Sequence, residues 1–159
     1  MKRAIVLLAV LAVGSIGFAS TAGSADSATI LEADTMFGVV VPYTGTANPI
    51  RGVNGGGVPW AISEAKVELL ADGRLEIDVE GLVLVSTGAN PVTTFRGLVS
   101  CQTIDTGAAV VQNVMTDPFP ASATGDSKIE ATLDLPEPCI APIVFVTSPG
   151  GAWFAATGA

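Results

Sequence analysis

The 159-residue chain has no histidine, two cysteines, one tyrosine, and seven basic residues against fifteen acids. Each shortage removes a class of chemistry. Without histidine, serine triads, cysteine–histidine pairs and metalloprotease sites are excluded in their common forms. Two thiols alone do not assemble the usual four-ligand zinc site. The few cations form no cluster, and a net charge of −8 opposes nucleic acid and anionic membranes by long-range repulsion. Beyond the N-terminal region, no stretch of ten residues holds a 3.6-residue apolar stripe without glycine, proline or a β-branched run, so almost no helix is expected. Disorder is not expected either, because 49% of the residues are hydrophobic and 14% charged.

What is present begins with Met1-Lys2-Arg3, an apolar run Ala4 to Val13 and a softer Gly14 to Ala19. This is the charged start and short apolar middle of a secretory signal peptide. Small residues permit cleavage after Ala22 or Ala25, and the run is shorter than the ~20 residues of a spanning helix. No cysteine near that region indicates a lipid anchor. Removing residues 1–25 leaves 134 residues, the size of one domain, and the loss of Lys2 and Arg3 takes the charge to −10. No stable membrane span remains after processing. In an oxidising compartment Cys101 and Cys139 are expected to form one disulfide.

The clearest pattern runs from Lys66 to Leu84. Val67 and Leu69 alternate with Lys66 and Glu68; then Leu75, Ile77 and Val79 alternate with Arg74, Glu76, Asp78 and Glu80. Period two is what a half-buried strand requires, and Ala71-Asp72-Gly73 between the halves supplies the turn of a β-hairpin. Its second strand is expected to run on to Val85. The rhythm returns at Lys128 to Leu135, with Ile129, Ala131, Leu133 and Leu135 inward; two solvent-facing strands obeying one rule explain the likeness better than a duplication. Residues 26–35 read as a flexible leader and residues 36–159 as a single β-sandwich domain. Further strands are expected at Met36–Val41, at Thr93–Gln102 with Cys101 turned to the core, at Gly107–Met115, at Ile143–Thr147 and at Ala152–Thr157. The fold class is therefore all-β, an antiparallel sandwich or flattened barrel of about seven or eight short strands.

Chemistry has few places to sit. Gly55-Gly56-Gly57 lacks the Lys-Ser/Thr of a phosphate cradle and opens no helix. Asp105, Asp117 and Asp126 are the acids that strand alternation leaves unexplained, and a carboxylate pair among them would suit glycoside hydrolysis; no D-x-D-x-D spacing supports Ca²⁺. No catalytic residue, metal or cofactor is expected. The aromatics Tyr43, Trp60, Trp153 and Phe154 form the candidate binding surface. Trp153 and Phe154 are adjacent on a strand, so their rings leave opposite faces, and Met36–Val41 and Ile143–Val146 are apolar at both parities. Cover by Thr103–Pro120 or the leader, burial by a protein partner or second copy against the first strand and last hairpin, and a carbohydrate platform of exposed rings are the three explanations.

Gly57-Val58-Pro59-Trp60, Ala71-Asp72-Gly73-Arg74-Leu75, Gly81-Leu82, Phe95-Arg96-Gly97 and Pro149-Gly150-Gly151-Ala152-Trp153-Phe154 together resemble small exported bacterial β-sheet proteins of unassigned function. The rhythm around Asp72-Gly73 and Gly81-Leu82 has a fainter likeness to chordin-type (CHRD) repeat domains, an antiparallel β fold. That family carries histidines between its strands and this chain has none, so a metal or redox role has no residue to land on. The resulting expectation is a secreted non-catalytic recognition or structural protein of the bacterial cell surface or medium. A carbohydrate-binding module is the alternative, and a small carboxylate-dependent hydrolase the third reading.

Overall fold

A computed structural model describes residues 27–158; the expected signal peptide, residues 1–25, lies outside them. Twelve strands and no helix make up the described chain: β1 (Thr29–Ala33), β2 (Phe37–Gly38), β3 (Trp60–Ala61), β4 (Glu64–Leu70), β5 (Arg74–Glu80), β6 (Val83–Leu84), β7 (Thr94–Asp105), β8 (Ala108–Met115), β9 (Phe119–Pro120), β10 (Ser127–Thr132), β11 (Ile140–Thr147) and β12 (Trp153–Ala156). Four of them are only two residues long, so the longer ones number eight. One sheet has the order β1-β4-β5-β10. A second has the order β2-β12-β11-β7-β8, with β9 also beside β7, and β3 pairs with β6 separately. Every strand pair is antiparallel, and both large sheets keep open edges, so the fold is sandwich-like and not a closed barrel.

The hairpin forms as its alternation requires. β4 and β5 pair with Val67 opposite Ile77 and Leu69 opposite Leu75, and the whole inward set is buried. Gly73 holds φ at 86°, and a Cβ there would collide with the Leu133 carbonyl, so the turn demands glycine on two counts. β10 lies antiparallel against β5 with Ile129 opposite Ile77, so the two look-alike strands are neighbours. Across the sandwich, a Cβ on Gly97 of β7 would touch Ile77 and Leu75; the odd positions of β7 therefore face the hairpin. Phe95, Val99 and Cys101 fill that face at full burial. Each large side chain so removed from water contributes about 1.5–3 kcal/mol.

Cys101 and Cys139 are bonded, with Cα atoms 4.9 Å apart. In the chain-entropy account, closing a loop of this length removes about 4 kcal/mol of unfolded-state freedom. The bridge fits an oxidising, extracellular-type environment.

Three local expectations are corrected. Residues 29–33 are not leader: they form β1, in register with β4 from Leu31 opposite Leu69 to Ala33 opposite Val67. The Met36–Val41 strand shrinks to β2: the Val39 amide still bonds the Phe154 carbonyl of β12, but its carbonyl accepts from the Trp60 amide, and the chain then turns, with Tyr43 donating to the Val40 carbonyl. The hairpin stops at Glu80. Gly81 turns the chain at φ 67°, the Leu82 amide bonds the Gly125 carbonyl, and Val83–Leu84 pairs with Trp60–Ala61 instead.

Candidate functional site

The aromatic candidates separate by exposure. Trp60, Trp153 and Phe154 are 3%, 4% and 6% exposed, whereas Tyr43 is 43% exposed. Three of the four rings expected as a binding surface are thus core residues. Phe154 stacks on Trp60 with centroids 3.8 Å apart, and both meet Phe95 edge-on. Trp153 turns the other way and packs against Phe145. Phe145 pairs with Leu98, an even position of β7, so this second cluster lies on the face turned away from the hairpin.

Neither Thr103–Pro120 nor the leader covers that outer face. The Tyr43–Pro59 loop does. Gly56 donates to the Trp153 carbonyl and Trp153 to that of Asn54, which fastens the loop to β12. At its far end the Arg51 guanidinium donates to the Ser100 carbonyl at 2.9 Å, and Asn113 of β8 donates to the Arg51 carbonyl at 3.1 Å. Arg51 sits at φ 48°, unfavourable for a residue with a Cβ, in the tight reversal where Ile50 and Val53 exchange amide bonds. Val53 is buried beneath it. Gly56 must lack a side chain, since a Cβ would press on the Phe154 ring. Two buried polar atoms, Ser100 Oγ and Trp153 Nε1, have no hydrogen-bond partner among the described residues.

The loop acids do not converge. Asp105 opposes Ala108 at one end of the β7–β8 hairpin and Asp117 follows β8 at the other, about 25 Å apart at 3.3 Å per strand residue. Asp126 is engaged elsewhere: it accepts from the Thr124 hydroxyl, the Gly81 amide and the Ser122 hydroxyl. Those bonds, the one from Thr124 foremost, hold its carboxyl below the usual carboxylate value. A glycosidase acid needs the opposite shift. Asp126 ties the Gly81 corner to the turn before β10.

Alternation missed an arrangement on the outer face of the smaller sheet, because it depends on register. Glu32, Glu68, Glu76 and Glu130 stand side by side on β1, β4, β5 and β10. Lys128 bridges two of them, at 3.1 Å from Glu76 and 2.7 Å from Glu130. Its ammonium is held above the ordinary lysine value by the bond to Glu130 first and that to Glu76 next. Open grooves follow this face. No group of three or more potential metal-ligating side chains forms among the described residues.

Apolar side chains reach water along the first expected strand. Phe37, Val40 and Val41 are 63%, 53% and 72% exposed and lead into Tyr43; the two-sided apolar character of Met36–Val41 was the signal for it. The protein-family models, the curated proteins and the solved structures compared with this chain contain no match to it.

Proposed function

We propose that this protein is a secreted, non-catalytic recognition or structural protein of the bacterial cell surface or medium, and that it meets a protein partner through the strip Phe37, Val40, Val41 and Tyr43. The observation that carries the reading is this strip itself. In a chain that buries Trp60, Trp153 and Phe154, it leaves four large apolar or aromatic side chains within seven residues in water, and a contiguous exposed apolar patch marks an interaction surface. The N-terminal pattern of residues 1–25 and the disulfide support export.

The glycan reading keeps only Tyr43 of its four rings at the surface. The hydrolase reading keeps three acids that lie apart, one of them pinned in its ionised form. The test is capture from culture supernatant and envelope fractions, with insoluble polysaccharide in a parallel arm. A specific protein retained by wild type and lost with Val41→Asp supports the proposal. Retention on polysaccharide that is lost with Tyr43→Ala, or capture unchanged by Val41→Asp, overturns it.

A further inference from the structure

Asparagine loses its side-chain amide when the next backbone nitrogen closes a ring on it, so the residue that follows decides how readily this happens. Asn48 and Asn90 precede proline, whose nitrogen has no proton to give up. Asn113 precedes the β-branched Val114. The side chains of these three also donate to backbone carbonyls: Asn48 to Pro42, Asn90 to Val92 and Ser122, and Asn113 to Arg51. Asn54 precedes Gly55, is exposed and has no such bond among the described residues. Glycine puts no side chain in the way of attack, and the fold demands it here, because a Cβ at position 55 would collide with the Tyr43 carbonyl. The packing of the Tyr43–Pro59 loop therefore keeps a reactive Asn-Gly pair in the chain.

We propose that Asn54-Gly55 is a covalent modification site, converted to aspartate and isoaspartate when the Tyr43–Pro59 loop lifts, and that isoaspartate keeps the loop from reseating. The Gly55 nitrogen attacks Cγ of Asn54. The N–Cγ bond forms, the Cγ–Nδ2 bond breaks, and ammonia leaves with the proton of the Gly55 amide. Water then opens the cyclic imide, with no change of oxidation state. Opening at the side-chain carbonyl gives aspartate; opening at the main-chain carbonyl gives isoaspartate, in which the chain runs on through Cγ. In the seated loop the peptide group joining the two residues is clamped at both ends. Its carbonyl, from Asn54, accepts from the Trp153 amide at 2.9 Å, and its N–H, from Gly55, donates to the Gly45 carbonyl at 3.1 Å. Attack requires that peptide to turn, so both bonds must break first. Reaction is thus confined to the open fraction, and its rate follows the free energy of local opening. Isoaspartate takes the carbonyl that Trp153 uses out of the main chain and adds a carbon to the backbone, so the parallel bridge between Gly55 and Trp153 does not re-form. The face that carries Trp153 and Phe145 then meets water.

The experiment is incubation of the mature chain in mildly alkaline buffer, folded and in urea, followed by peptide mapping for the mass gain of an amide becoming an acid. In urea, Asn54 should convert ahead of the other three asparagines, and the folded wild type should lag far behind. Arg51→Ala and Asn113→Ala each remove one of the bonds that latch the far end of the loop. Both should keep the far-ultraviolet dichroism of the wild type yet convert faster when folded, Arg51→Ala by roughly tenfold, the ratio that one hydrogen bond from a charged group is worth. The isoaspartate fraction, separated from unmodified protein, should show tryptophan fluorescence more open to acrylamide. Four outcomes overturn the proposal: a denatured chain that leaves Asn54 intact, folded wild type converting as fast as in urea, folded variants both converting no faster than wild type, or an isoaspartate fraction quenched no more than the unmodified protein. The Phe37–Tyr43 strip is tested separately, by Val41→Asp.

Discussion

The ring of Phe154 lies 3.8 Å from that of Trp60 with 16° between their planes, and the pair closes the end of the sandwich over Phe95. This contact joins β12 to β3, elements more than ninety residues apart in sequence, so it is a long-range tertiary contact. Two large aromatic surfaces leave water here, and stacked rings add about 0.5–1.5 kcal/mol beyond their area.

Truncating one ring should therefore be costly. Phe154→Ala is expected to lower unfolding free energy by about 3–5 kcal/mol, measured by urea titration at constant slope. Both tryptophans are buried, so acrylamide should quench native fluorescence weakly and the variant's more strongly. A variant within ~1 kcal/mol of wild type would mean that the stack is not part of the core.

Beneath the Tyr43–Pro59 loop, Ser100 Oγ is fully buried and unpartnered. A buried hydroxyl without a partner costs roughly 1–3 kcal/mol of desolvation, and its replacement by a methyl group leaves no such debt. Ser100→Ala is thus expected to raise stability by about 1 kcal/mol. A fall on the same urea titration would mean that the hydroxyl bonds an ordered water whose loss outweighs the gain.

Periodicity made the hairpin and β10 readable because a half-solvated strand must alternate: Leu75, Ile77 and Val79 can face only one way once Glu76 and Asp78 face water. The inward placement of Cys101 followed from the same parity. The rule carries no information where both faces are covered, as at Ile143–Val146, since alternation disappears when neither side meets solvent. Nor does composition reveal that a loop rich in glycine can be a lid. The role of the Tyr43–Pro59 segment depends on Arg51 reaching Ser100, 49 residues away, and on Gly56 passing the Phe154 ring. Three of the four aromatic candidates, Trp60, Trp153 and Phe154, are buried for this reason, while Tyr43 stays at the surface. Trp60 and Trp153 were legible as large rings, while the cover that buries them is set by long-range backbone bonds. β1 escaped notice because its pairing is supplied wholly by β4, and a short edge strand needs little pattern of its own.

Register also brings like charges together. Glu68 stands between Glu32 and Glu76, and among the described residues no cation lies within 4.0 Å of Glu32 or Glu68. Directly opposed like charges destabilise a sheet, and opposite charges contribute roughly 0.2–1 kcal/mol per pair. Glu68→Lys is expected to raise the urea midpoint at low salt despite losing the Thr29 hydroxyl bond, with the gain shrinking as salt is added. A midpoint that falls, or a gain indifferent to salt, would show that the row is not under electrostatic stress.

Acid should weaken the fold through Asp126. Its carboxylate accepts from Thr124, Gly81 and Ser122, and these bonds lower its pKa from 3.8. Asp72 shifts in the same direction: burial raises it, but the Arg74 amide and guanidinium and the Ser27 hydroxyl together outweigh that effect. A carboxyl that is more acidic when folded binds fewer protons in the folded state than in the unfolded one. Its stabilisation is therefore present above the unfolded value and is lost as pH falls through the folded one. Stability is expected to be flat with respect to these two groups from pH 7 to about 5 and to decline below about 4, where the unfolded chain takes up protons first. Asp126→Asn should shallow that decline while lowering the neutral-pH midpoint, because an amide oxygen accepts the Gly81 bond less strongly than a carboxylate. The measurement is the urea midpoint of both proteins at half-unit steps from pH 3 to 7. Parallel curves would mean that Asp126 does not titrate differently in the folded chain, and that the corner between β5 and β10 is held by its backbone bonds alone.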